Sequence, residues 1–169
     1  MPSPTATTTA LAFEAALLAA LQADANLTGA SPPWQITDVY PGNTQTAYAI
    51  YFGKITNANG LPVMASTARI KRSEDYVLDV IIDVSDGMAD TQTAKQLALG
   101  ALGELDNILA TFPSGPTGIL TVTNAGGANT TGAWKAYVSG WELRPYLDET
   151  RQGWAVLLTA RVSVSARLG

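Results

Sequence analysis

Apolar positions along the chain recur first at helical spacing, then in alternation, then at helical spacing again, and finally in alternation to the C-terminus. From Thr9 onward Leu11, Phe13, Leu17, Leu18 and Leu21 fall on one broad face, which predicts a helix with Thr8 or Thr9 capping its free amides. Gly29, Pro32 and Pro33 place the end of that helix near Asn26. Residues 34–40 form a first predicted strand, stopped by Pro41-Gly42. Residues 47–56 form a second, with Tyr48, Ile50 and Phe52 on one face and Ala49, Tyr51 and Ile55 on the other, so burial on both sides is expected. Asn59-Gly60 suits a hairpin turn within residues 57–62, and residues 64–72 and 74–84 read as two more strands. In the latter, Leu78, Val80, Ile82 and Val84 mark a core face and Val77, Asp79, Ile81 and Asp83 a mixed one.

Asp90 or Thr91 caps the clearest helix, where Ala94, Leu97, Ala98, Ala101, Leu102, Leu105, Ile108, Leu109 and Phe112 make one stripe that packs on a sheet. Pro113 and Pro116 end it. Residues 119–123 are a short predicted strand and residues 124–132 a polar Gly/Asn/Thr loop. Residues 134–143 and 153–166 complete the sheet, the last with a clean period of two. The order predicts an α+β fold, a mostly antiparallel sheet with two helices packed on one face. Residues 1–8 carry too little apolar surface to offset the entropy of ordering and read as a flexible arm before a single domain over residues 9–169.

Composition narrows the chemistry sharply. Among 169 residues there is no cysteine and no histidine, which removes disulfides, thiolate nucleophiles, imidazole ligands and the Ser-His-Asp triad. A net charge of −4 argues against the basic footprint that phosphate neutralisation requires. The first Lys or Arg is Lys54, so the apolar stretch at residues 10–21 lacks the basic flank of a secretory leader and reads as an amphipathic helix. No run reaches the ~18 apolar residues of a membrane span.

Few residues group in a pattern that carries chemistry. Asp79 and Asp83 share a strand face but stand ~13 Å apart, too far to act as a pair, and read as solvated acids or as the lining of an aqueous surface. Arg69, Lys71 and Arg72, followed by Glu74 and Asp75, read either as a polar contact with a partner subunit or as an edge strand protected by charge. No phosphate-cradling glycine motif and no nucleophile elbow is present. Most of the four tryptophans are expected in the core, but Trp134 and Trp141 sit on opposite faces of one strand, which leaves one for a partner. Two strands of eleven or more residues would reach roughly 36 Å, long enough to pair or pack with a neighbour.

An N-terminal helix, an extended segment ending in Val39-Tyr40-Pro41-Gly42, a strand closing in Tyr51-Phe52-Gly53, a Glu74-Asp75-Tyr76 strand running to Val84, a long Ala/Leu helix and two closing strands together resemble the tail terminator proteins of long-tailed, siphovirus-like bacteriophages. The resemblance covers roughly residues 9–165. It departs from that pattern in having Pro41-Gly42 where an Asp-Gly-Pro-type turn is usual, and in its longer 124–132 loop. It implies a non-enzymatic virion protein without cofactor or metal, assembled in the bacterial host cytoplasm. There a homohexameric ring caps the tail tube protein, ends polymerisation and meets the head-tail connector or stopper, with DNA only passing through its lumen. In that setting Asn57, Asn59, Leu61, Arg69, Lys71, Arg72, Trp134 and Arg161 are the expected subunit or partner contacts, and Asp79 and Asp83 the expected lumen-facing acids. Another neck or tail-completion protein, or a tube subunit, would share the layout. A small ligand-binding or histidine-free hydrolytic domain is the alternative of a different class, and it predicts a compact apolar pocket with convergent polar groups.

Overall fold

The computed structural model describes residues 9–57, 72–85, 90–111, 122–123, 130–150 and 153–168. The expected arm at 1–8, the Asn59-Gly60 turn, the strand expected over 64–72 except its last residue Arg72, and Phe112 lie outside them. Helices α1 (Ala10–Ala23), α2 (Ala25–Thr28) and α3 (Thr91–Thr111) accompany strands β1 (Gln35–Thr37), β2 (Tyr48–Asn57), β3 (Arg72–Val84), β4 (Val122–Thr123), β5 (Thr130–Asp148) and β6 (Gly153–Leu168). The strand order is β1-β2-β3-β6-β5-β4. All pairings are antiparallel except β1 with β2, where Gln35, Ile36 and Thr37 lie beside Ala49, Ile50 and Tyr51 in parallel.

The α+β class and the one-sided helical layer are as expected. Phe13, Leu17 and Leu21 of α1 and Ala98, Ala101 and Leu105 of α3 join Leu78, Val80 and Ile82 of β3 and Val156, Leu158 and Val162 of β6 in one buried cluster. Each fully covered Leu, Ile or Val there is worth about 1.5–3 kcal/mol relative to exposure. Leu11 is a correction: it lies about 100° around the helix from Ala10 and is 70% exposed.

Local chemistry explains the other departures. The first helix stops at Ala23, three residues early, because Asp24 is extended (ψ 120°) and its carboxylate accepts from the Asn26 and Leu27 amides, starting the separate turn α2. The first strand is three residues rather than seven. In β2 the register shifts between Phe52 and Ile55, so Gly53 and Lys54 together face Asp79. That bulge turns Ile55 onto the helix face, opposite Leu78, instead of the face of Ala49 and Tyr51. Gly53 suits the close approach there, since an added Cβ would sit 3.2 Å from both Asp79 Cβ and Ile81 Cδ1 and those side chains would have to give by a few tenths of an ångström.

Arg72 opens a single strand that runs to Val84, pairs with β6 throughout and takes β2 on its other side from Tyr76 onward, so from there β3 is central, not an edge. Residues 130–132, expected in a loop, begin the 19-residue β5. Asp90 caps α3 as expected: its carboxylate accepts from the Gln92 amide at 2.8 Å and the Thr93 hydroxyl at 2.9 Å. These bonds hold the Asp90 carboxyl below the usual aspartate range.

The start of α1 is secured differently from expectation. Thr9 occupies the cap position without a side-chain bond to its own helix. Its amide and hydroxyl both donate to the Glu74 carboxylate of β3, which places a buried negative charge at the helix N-terminus, where the backbone dipole favours it. Glu74 is therefore a buried tertiary cap and not part of a solvated charge run.

Candidate functional site

By register, even-numbered residues of β3 and β6 face the helices, and odd-numbered ones face away across an otherwise open side. At one end of this open side a cleft of about 480 Å³ is lined by Tyr40, Gly42, Asn43, Gln45, Asp83, Ser85, Tyr146, Asp148 and Thr150. Its first wall is the segment after β1. Gln35 ties that segment down by donating to the Thr44 carbonyl and accepting from the Thr46 amide, and Gly42 supplies the positive φ of its turn. The opposite wall is the end of β5.

Both walls reach the same carboxylate. Asp83 is 4% exposed, with Tyr146 Oη donating to one oxygen at 2.8 Å and Gln45 Nε2 to the other at 2.8 Å. The small side chains of Ala49 and Ala155, fully buried although they face the open side, leave room for this crossing. Tyr40 meets Tyr51 edge-on at 5.4 Å. Burial above all, then the Asp83 charge, pushes Tyr51 up to about 12. Burial, then the hydrogen bond to Asp83, pushes Tyr146 well above the ordinary phenol range. Asp83 is thus not a solvated acid, which corrects the expectation for it. Among the described residues no large aliphatic side chain lines this cleft, unlike the apolar pocket a hydrolytic domain predicts. Among the described residues no group of three or more His, Cys, Asp or Glu could hold a metal, and no helix is long and apolar enough to cross a membrane.

A second feature lies along β5. Trp141, Leu143, Pro145 and Leu147 are opposite Ala160, Leu158, Val156 and Trp154, so they sit on the helix face of the sheet. Yet Trp141 is 53%, Leu147 59% and Trp154 45% exposed. The helical layer stops short of them. Trp34 is buried, but Trp141 and Trp154 are surface residues, contrary to a core placement for most of the tryptophans. The backbone of Trp134 lies at the first of two bulges in β5, between Ala133 and Lys135, and the second, between Val138 and Gly140, interrupts the simple alternation from there to Trp141.

Of the expected contact residues, Asn57 and Arg161 have described side chains. Asn57 ends β2 and is exposed, and Arg161 is exposed on the open side, in register with the half-buried Asp79. Arg72 opens β3 and Trp134 lies in β5, with only their backbones described; Asn59, Leu61, Arg69 and Lys71 lie outside the described residues. Gln45, Tyr146 and Glu74 were missed, since their roles depend on contacts 38, 63 and 65 residues away in sequence. The β5 strip was readable from the alternation of Trp141, Leu143 and Leu147, had the strand been extended past residue 143.

No family model matches the sequence, and no curated protein matches it. Among solved structures similar to the chain is one from "Virion of native gene transfer agent (GTA) particle", with a TM-score of 0.54 and 15% identity, covering 96% of this chain and 100% of that one. The likeness is one of fold and runs through nearly the whole of both chains.

Proposed function

We propose that this chain is a structural virion protein of the tail-terminator type, which closes into a homohexameric ring on the tail tube, ends polymerisation and offers its far side to the head-tail connector. The observation that carries the reading is the end-to-end fold likeness to a chain from a gene transfer agent virion. Supporting it are the tail-terminator resemblance of the sequence and a sheet whose apolar β5 strip lacks a covering layer. A cyclic ring needs two different patches on each subunit, and the β5 edge and the Asn57 end of β2 are distinct surfaces at opposite sides of the sheet. Of the two acids assigned to a lumen, only Asp79 retains solvent contact for that role.

Deleting the gene and measuring tail length by electron microscopy tests this reading. Overlong tails without heads are expected. Tails of normal length joined to heads would overturn termination. Loss of all tails would instead favour a tube subunit, which the same fold class accommodates.

A further inference from the structure

We infer that β5 pairs with the β5 of a second copy of this chain, antiparallel, about a twofold axis through Leu143. Among the described residues β4 covers only the Thr130–Thr131 end of the outer edge of β5, and from Gly132 to Asp148 the strand pairs with β6 alone. Beyond the bulge at Val138/Gly140 the register with β6 is unbroken to Asp148, so the backbone there presents a regular free edge. On the helix side this edge carries the uncovered Trp141, Pro145 and Leu147, a strip about 20 Å long.

The open side decides the partner. Glu142 and Arg144 are exposed, alternate along the strand, and have no salt bridge among the described residues. A twofold at residue 142 would set Glu against Glu, and one at 144 would set Arg against Arg, both destabilising. A twofold at Leu143 sets Glu142 of each copy against Arg144 of the other, twice, with Leu143 against Leu143 and Trp141 against Pro145. Residues of equal parity pair in this register, so the two apolar strips lie on one side and the tryptophans close over the seam. The edge is thus self-complementary in both charge and apolarity, which points to a copy of itself rather than to a foreign chain.

Pro145 lacks an amide donor and limits the ladder, and the contact is confined to one strand edge with a strip about 20 Å long, where a standard interface takes ~800 Å² from each partner. A weak, reversible dimer follows, which shields an aggregation-prone edge until a stronger contact displaces it. This goes beyond the ring reading and does not depend on it, because it concerns the chain alone in solution.

Analytical ultracentrifugation of the full chain over a wide concentration range tests the pairing. Wild type should shift from monomer to dimer mass. Glu142→Arg and Arg144→Glu should each weaken dimerisation about tenfold or more, and the double swap E142R/R144E should return it to within about threefold of wild type. Because the chain has no cysteine, Leu143→Cys should yield a covalent dimer under mild oxidation. Circular dichroism and melting of each variant confirm folding. A wild-type chain that stays monomeric, a folded double swap that fails to recover, or larger rings indifferent to both single charge changes would overturn the pairing. A Leu143→Cys chain that folds but does not crosslink would overturn it as well.

Discussion

β3 and β5 run in the same direction on either side of β6, and both place apolar side chains on the helix face in alternation, β3 from Tyr76 and β5 from Trp141 onward. On β3 the row Leu78, Val80, Ile82 and Val84 is at most 1% exposed, whereas on β5 Trp141 and Leu147 keep more than half their surface. Alternation assigns a face; what lies over that face decides whether it is core. Helix α3, 21 residues or about 31 Å long, packs over β6, β3 and part of β5, and the strip beyond its reach stays open. The same pattern that builds the interior at β3 therefore makes an adhesive surface at β5.

Leu158→Ala should break the comparison most severely. It empties a fully covered site beneath the helices and should cost about 2–5 kcal/mol in urea unfolding, while Trp141→Ala should cost the dilute monomer under about 1 kcal/mol. Equal losses at the two sites would mean that the β5 strip is core after all. Glu74→Ala comes next, removing the buried carboxylate that receives the Thr9 amide and hydroxyl, for about 1.5–3 kcal/mol, with fraying at the start of α1 visible in amide exchange. Tyr146→Phe should cost about 1 kcal/mol by taking the Tyr146 hydroxyl donor from Asp83.

The pH responses are smaller. Tyr51, Tyr76 and Tyr146 are all raised on folding, chiefly by burial, so the unfolded chain gives up its phenolic protons first. Stability should hold below the ordinary value of 10.0 and fall as pH climbs through it toward about 12, read as a declining urea midpoint. Asp90 runs the other way. Its folded value is depressed, so its contribution is present above the ordinary 3.8 and lost as pH falls below that, a slight effect because the group is on the surface. An acid titration of Asp90→Asn beside wild type isolates it.

The helix stripes, the β6 alternation, the two faces of β3 and the Asp90 cap were all legible in sequence, because each rests on spacing within one element. The bulge that turns Ile55 inward was not, since it is a matter of how Gly53 and Lys54 pack against Asp79 and Ile81 across the sheet. Asp83 read as solvated for the same reason: the donors that cover it come from the segment after β1 and the end of β5. Glu74 looked like one charge in a run, yet its burial is decided by where α1 begins. Local rules gave the layers, and contacts distant in sequence set the polar detail.

Amide hydrogen exchange over residues 141–147, followed from dilute to concentrated chain, asks most directly whether another polypeptide covers the β5 edge. Fast exchange of the outward amides at low concentration, slowing at least tenfold as copies associate while β3 stays unchanged, is the expected result. Full protection of that stretch at the lowest concentration, or exchange that never slows, would contradict it.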